Sequence, residues 1–339
     1  MHDVTLIPGD GIGPDVVAAA KKVLDHATSS INWDVVQAGE EAYRKQGNPV
    51  PPEVIDSLRR TRLGLKGPMG VPTAGYASPN TEIRNAMGLW CNIRMAIHFE
   101  GARSPHVGTD IVLVRDVTED LVRGVQQMVG PDAGIAIRFI TRANADRLAR
   151  FGLDYARAHG IKRVTVPNQA PTFRSTDGLF VTTVMDAAKD YPELTVDEEA
   201  MDAVTMHLAM RPQAYPMFLS PNLYGGILCG LCSGLVGGVG LMPGANLDGN
   251  GTAVFEAGHG NAPKYTGMNK VNPTGMILSG AMLLDHIGER EAARRVRAAV
   301  ADTIRQGKSV TYDLGGSAST SEMGDAVVAA LDVSHRKPS

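Results

Sequence analysis

The chain opens on a short apolar run at residues 4–7, broken by Pro8-Gly9-Asp10-Gly11-Ile12-Gly13-Pro14 and followed by apolar positions at helical spacing over 15–26. A strand, a glycine-rich turn and a helix are predicted there. The alternation recurs. Residues 111–114, 134–141 and 163–166 read as strands, and 143–159, 179–190 and 292–306 as helices. Gly160 is a candidate C-cap for the first of these helices, and the last is charged and amphipathic. Strands alternating with helices predict an α/β fold. No internal repeat, linker or low-complexity tract interrupts the pattern.

One stretch departs from it. Residues 212–247 contain no charge, which is long enough to span a bilayer. Eight glycines between Gly225 and Gly244, with Pro221 before them and Pro243 among them, dilute the hydrophobicity. A buried, tightly packed helix pair at a subunit or domain interface is expected instead. The 339 residues suggest about two domains. With 43% hydrophobic and 20% charged residues the composition is globular, not disordered. Thirty-three basic against 36 acidic residues leave a net charge of −3, which argues against a nucleic-acid binder or a membrane-surface protein. Cys91, Cys229 and Cys232 are too few for a disulfide framework, so a reducing compartment, the cytoplasm, is expected. The first residues show no basic segment followed by an apolar core, and no secretory signal is expected.

The glycine-rich turn after the first strand is placed as phosphate-binding turns are, with backbone N–H groups and a helix dipole available to an anion. Its spacing is not that of a dinucleotide fingerprint, and no Walker motif occurs. On spacing alone a tight turn is the simpler account.

Seven stretches together resemble the isocitrate/3-isopropylmalate dehydrogenase family, the metal-dependent β-decarboxylating dehydrogenases. They are TLIPGDGIGP (5–14), LKGPMGVP (65–72), TDGLF (176–180), PNLYG (221–225), GLVGGVGL (234–241), HGNAPKY (259–265) and VNPT (271–274), in the family's order. The resemblance implies two α/β domains sharing a large mixed sheet, an interdomain cleft and a homodimer whose sites borrow residues from the partner. It implies a large, nucleotide-side domain from 1–100 plus 250–339, and a small, dimerising, substrate-side domain from 101–249.

The family recognises a 2-hydroxy acid with two or three carboxylates through arginines, whose planar fork holds a carboxylate with two parallel bonds. By resemblance Ser78, Asn80 and Arg84 form the substrate loop, and Arg94 and Arg115 match its second and third arginines. Arg123 is an additional cation close to this group. His259, Gly260, Ala262 and Pro263 resemble the adenine loop, and Asn272 matches a further adenine contact. Lys264, Tyr265 and Tyr312 resemble the NADP-preferring members, because an ammonium and phenols can hold a 2′-phosphate. An arginine expected shortly afterwards is replaced by Gly316. NADP is therefore the expected nucleotide.

The positions that carry the family's chemistry have changed. Of three metal-binding aspartates only Asp202 is kept, the one given by the partner. Gly226 and Gly230 stand at the other two, so no divalent metal is expected. Gln169 replaces the lysine that accepts the hydroxyl proton, and Val122 the tyrosine that protonates the enol carbon. An amide has no useful pKa for general-base work. Cys229 and Cys232, at i and i+3, suit a soft metal, a redox pair or plain interface packing, the last being the simplest. His98, Glu100 and His106 follow Arg94 and either supply a new acid or base or belong to a solvated loop.

Three functions are compatible with this pattern. The first is a repurposed, metal-independent enzyme acting on a small polycarboxylate or its acyl or amide derivative by hydrolysis or lyase chemistry, with Gln169 and Asn168 orienting water or an oxyanion. The second is a non-catalytic, ligand-sensing subunit of an active homologue. The third is an NADP-dependent dehydrogenase with an unusual proton path.

Overall fold

The computed structural model describes residues 1–70 and 78–335, so Val71 and Pro72 of the second family stretch lie outside the described residues. The chain divides into two compact units. One comprises Met1–Leu89, Ile97–Val107 and Val236–Ser339; the other comprises Trp90–Ala96 and Gly108–Leu235. Strands and helices alternate in each, which bears out the α/β class.

In the first unit, strands run in the order Ile31–Val35, His2–Ile7, Leu63–Lys66, Ala253–Glu256 and Gly244–Leu247. The first four are parallel and the last is antiparallel. Helices Gly13–Ala27, Thr274–His286 and Arg290–Gln306 bury Val16, Leu24, Ile277, Leu284, Val296 and Val300 in a core that also holds Leu65 and Phe255 of the sheet. A smaller core gathers Val54, Leu58 and Ile83 with Ile7 and Val254. Parallel strands buried on two faces need near-continuous apolar runs, which is what the sequence shows there.

The glycine-rich turn is a tight turn closed against its own chain. Gly9 and Gly11 have φ of 76° and 61°, a region that favours glycine. Asp10 N–H donates to the Pro68 carbonyl at 2.7 Å, Ile12 N–H to the Asn261 carbonyl at 3.0 Å and Gly13 N–H to the Asp10 carbonyl at 2.8 Å. These donors are spent inside the protein, so the phosphate-site alternative gains nothing from the fold.

In the second unit the order is Cys91–Ile97, Asp110–Asp116, Met217–Ser220, Arg163–Asn168 and Thr195–Ala200. The strand expected over 134–141 is shorter. Ala133–Ala136 pairs with Gln126–Val129 in an antiparallel hairpin, and beyond it the Arg138 side chain pairs with Asp120 and the Phe139 carbonyl accepts the Asp120 N–H. The helix pair expected in the charge-free stretch is also corrected. That stretch holds one long helix, Asn222–Leu235, preceded by strand Met217–Ser220 and followed by strand Gly244–Leu247. Pro221 and Pro243 restrict helix continuation, and Gly237 and Gly238, with φ of 109° and 136°, turn the chain out of the helix. No helix among the described residues is long and apolar enough to cross a membrane.

Candidate functional site

The first unit holds a cavity of about 470 Å³ lined by Ile12, Gly238–Gly240, His259, Gly260, Ala262, Tyr265, Val271, Asn272, Tyr312 and Asp313. Six of the eight residues assigned to the nucleotide thus line one space. Pro263 and Lys264 lie in the short turn Pro263–Tyr265 beside it. Ala262 has φ of 38°, so the loop enters this turn in a conformation that side chains rarely adopt. Asn272 is locked from both ends: its Nδ2 donates to Asp313 Oδ2 at 2.9 Å and its Oδ1 accepts the Thr274 N–H at 2.9 Å. The Lys264 ammonium lies 4.8 Å from the centre of the Tyr265 ring, and Lys270 covers Tyr312 at 5.2 Å. The Tyr312 hydroxyl holds Tyr265 below the usual phenol range, with Lys264 adding to the effect. The same bond pushes Tyr312 up to about 12.

Ser78 and Asn80 stand at the start of helix Pro79–Ala86, and Arg84 lies in its last turn. Arg84 is turned onto its own unit. Its Nε donates to Asn246 Oδ1 at 2.9 Å and its Nη2 to Glu256 Oε1 at 3.0 Å. The other Glu256 oxygen lies 2.6 Å from Lys66 Nζ. Two cations, Lys66 and Arg84, share one carboxylate. Sequence reasoning missed Lys66 and Glu256. The available signal was a lone charge in each of two apolar strands, LGLK and AVFE, which the register brings opposite one another.

In the second unit Arg94 lies on strand Cys91–Ile97 and is 8% exposed; Arg115 lies on strand Asp110–Asp116. Arg115 faces helix Asn222–Leu235. Arg115 runs along the bare backbone of Gly225 and Gly226. A Cβ on Gly225 would meet its Cδ at 2.7 Å, and one on Gly226 would meet its Nη1 at 2.9 Å. Burial pushes the Cys229 thiol up, opposed first by Arg115 and then by Arg94. Burial raises Cys232 as well, and all three cysteines are free thiols. Protonated thiols are poor nucleophiles and metal ligands, which favours the packing account of this pair.

Gln169 follows strand Arg163–Asn168, its backbone N–H held by Asp177 Oδ2 at 2.7 Å. Asn168 is buried and engaged. Its Oδ1 accepts the Ala170 N–H at 2.9 Å, and its Nδ2 faces Glu198 Oε2 at 3.3 Å and the Val166 and Glu199 carbonyls at 3.4 Å. Arg123 ends the short turn Leu121–Arg123. Asp202 is exposed at the start of helix Met201–Met210, capping the N–H of Ala203 at 2.9 Å. Gly226 and Gly230 offer no donor for a divalent cation. Among the described residues no three His, Cys, Asp or Glu side chains stand together to hold one.

A buried ionic cluster ties these parts together; Asp177 and Tyr224 belong to the quoted TDGLF and PNLYG stretches, while Asp120 and Arg138 lie in none of the quoted stretches. Arg138 Nε donates to Asp120 Oδ1 at 2.6 Å and its Nη1 pairs with Asp177. Asp177 Oδ2 also accepts the Tyr224 hydroxyl at 2.8 Å. Asp120, fully buried, has φ of 73° and accepts the Leu121 and Leu223 N–H groups, both at 2.8 Å. The turn bearing Val122 and Arg123, the segment bearing Gln169 and the helix bearing Gly226 are thereby fixed to one another.

The model of the family described as isocitrate/isopropylmalate dehydrogenase matches residues 3–327. The chain belongs to the isocitrate/isopropylmalate dehydrogenase family. A crystal structure of isocitrate dehydrogenase from Methylococcus capsulatus superposes with a TM-score of 0.94 at 41% identity, covering 98% of this chain and 99% of that one. The alpha subunit of mitochondrial NAD isocitrate dehydrogenase from Macaca fascicularis is 36% identical over 96% of this chain and 94% of its own length. A regulatory subunit of the mitochondrial NAD isocitrate dehydrogenase from Dictyostelium discoideum is 37% identical over 99% of this chain and 94% of its own length.

These relatives overturn the expectation of NADP, since both carry NAD in their names. The physical reason is visible in this family member. Lys264 lies over the Tyr265 ring and the two tyrosines engage each other, so the groups taken for a 2′-phosphate clamp contact one another in this chain. The relatives' names say nothing of a metal, so the expectation about a divalent cation still rests on Gly226 and Gly230 alone.

Proposed function

We propose that this chain is a ligand-binding subunit of an NAD-linked isocitrate dehydrogenase assembly that binds a small polycarboxylate and does not itself oxidise it. The observation that carries this reading is the helix Asn222–Leu235. The family's carboxylate positions on it are Gly226 and Gly230, and the Arg115 guanidinium lies over the first of them. Gln169 has no proton-accepting power at the base position, and Val122 has none at the acid position. Within the second unit Arg94 and Arg115 favour an anion, with Arg123 as a further contact, and within the first unit the cations around Arg84 favour one, with Ser78 and Asn80 at the start of the same helix.

The cavity lined by His259, Ala262, Asn272 and Tyr312 is read as the seat of the adenosine part of NAD, in a nucleotide-side domain built from both ends of the chain. A relative named as a regulatory subunit, similar over 99% of this chain, supports the assembly. The hydrolase or lyase alternative has no observation in its favour, because the Asn168 amide is engaged by the Ala170 N–H and by Glu198 and Glu199 of the neighbouring strand. Free cysteines fit a reducing compartment such as the cytoplasm.

The test is an assay of isocitrate-dependent NADH formation with manganese, on the chain alone and co-expressed with an alpha-type relative. The chain alone is expected to be inactive, to co-elute with the relative and to make its response to citrate depend on Arg94 and Arg115. Turnover by the chain alone at ordinary enzyme rates, about 1 s⁻¹ or above, overturns the proposal.

A further inference from the structure

Asp120 stands in a backbone region adopted almost only by glycine, with φ of 73° and ψ of −170°. The side chain carried at this strained position is fully buried and uses both its oxygens. Oδ1 accepts from Arg138 Nε at 2.6 Å and from the Leu121 N–H at 2.8 Å. Oδ2 accepts the Leu223 N–H, in the first turn of helix Asn222–Leu235, at 2.8 Å. The Asp120 carbonyl accepts the Arg123 N–H at 3.2 Å, and the Asp120 N–H donates to the Phe139 carbonyl at 3.0 Å. Arg123 therefore hangs from the residue whose side chain grips the helix. The turn Leu121–Arg123 and strand Asp110–Asp116, which bears Arg115, both pack on that helix. Asp120 meets it at Leu223, and Arg115 lies against it at Gly225 and Gly226, less than one turn further along.

We propose that Asp120 is a positioning residue for the polycarboxylate site: its carboxylate holds the turn Leu121–Arg123 on the first turn of helix Asn222–Leu235 and so sets where Arg123 stands relative to Arg115. This rests on the polycarboxylate-binding reading above and deepens it, by naming the residue that keeps two of its cations in register. Charge and position make opposite predictions here. A buried carboxylate near a bound anion repels it, so on charge alone the loss of Asp120 tightens binding. If Asp120 acts by placing Arg123, its loss weakens binding.

The probe is citrate, titrated by calorimetry onto the full chain at a temperature where thermal unfolding shows each variant to be folded. Asp120→Gly suits the backbone and removes both oxygens, and it is expected to weaken citrate binding by about tenfold or more. Asp120→Asn keeps one accepting oxygen and is expected to lose less. Arg123→Gln is expected to weaken binding as well. Adding Asp120→Gly to Arg123→Gln is expected to cost no more than about a further twofold, because the residue being placed has already lost its charge. If Asp120→Gly does not fold, Asp120→Asn with and without Arg123→Gln carries the comparison. An affinity unchanged or raised in the Asp120 variant, or losses that multiply in the double variant, overturns the positioning role and leaves the anion-binding reading intact. A wild-type chain that takes up no citrate overturns that reading and the positioning role with it.

Discussion

The ammonium of Lys66 stands 2.6 Å from Glu256 Oε2, with the two side chains only 3% and 7% exposed. The opposite carboxylate oxygen is held by Arg84 at 3.0 Å and by Asn246 Nδ2 at 2.9 Å. A buried charge that loses its partner is costly, and the two ends of this cluster differ in what remains. Glu256→Gln leaves the Lys66 ammonium buried without its carboxylate and is expected to destabilise by about 3–5 kcal/mol. Lys66→Met leaves Glu256 bound to Arg84 and is expected to cost about 1–2 kcal/mol. Denaturant unfolding of both variants checks the order; a larger loss for Lys66→Met would mean that Arg84 does not share the charge.

Asp120 sets two effects against each other. At φ of 73° glycine is the easier residue, a gain of about 1 kcal/mol. Against it stand the bonds from Leu121, Leu223 and Arg138. Losing a buried carboxylate that faces a guanidinium costs about 3–5 kcal/mol, so Asp120→Gly is expected to destabilise by a net amount of about 2–4 kcal/mol. A neutral or stabilising result in thermal melts would show that backbone strain dominates.

Tyr224 donates to Asp177 at 2.8 Å, and burial followed by that bond pushes it up to about 12. A raised folded-state pKa contributes stability that is complete below the ordinary phenol value near 10 and is lost as pH climbs through about 12. Wild type is therefore expected to lose about 2–3 kcal/mol more than Tyr224→Phe between pH 9 and 12. Urea unfolding of the pair across that range measures it, and parallel pH curves would count against the shift.

The hairpin Gln126–Val129/Ala133–Ala136 is exposed along both strands, with Met128 at 65% and Ile135 at 44%. A two-stranded hairpin is marginal alone in water, and exposed apolar patches on proteins are often places where partners bind. Ile135→Asp is expected to reduce the assembled fraction in sedimentation at micromolar concentration while leaving the melting of the first unit unchanged. A wild-type chain already monomeric under those conditions would refute this use of the hairpin.

In line with the NAD-named relatives, NADPH is expected to bind no more tightly than NADH in fluorescence titrations. Lys264→Ala is expected to change NADH affinity less than threefold. A tenfold preference for NADPH, about 1.4 kcal/mol, would reinstate the 2′-phosphate clamp.

The α/β class, the first strand–turn–helix unit and the gathering of His259, Gly260, Ala262 and Asn272 were legible in the chain. Their signals are local, coming from apolar periodicity, glycine and proline punctuation and motif order. The charge-free stretch misled because composition without period does not separate a helix pair from strand, helix and strand; prolines and positive-φ glycines decided it.

Residue identity also determined the losses at Gly226, Gly230, Gln169 and Val122, since an absent carboxylate or amine is absent in any fold. What only the tertiary structure decided is where the retained charges point. Arg84 turns onto Glu256, Arg115 lies on Gly226, Lys264 rests on Tyr265, and Arg138 gathers Asp120, Asp177 and Tyr224 across more than a hundred residues of chain. Long cationic side chains have several rotatable bonds and many possible partners. Sequence specifies the charge, but packing against distant segments selects the partner that neutralises it.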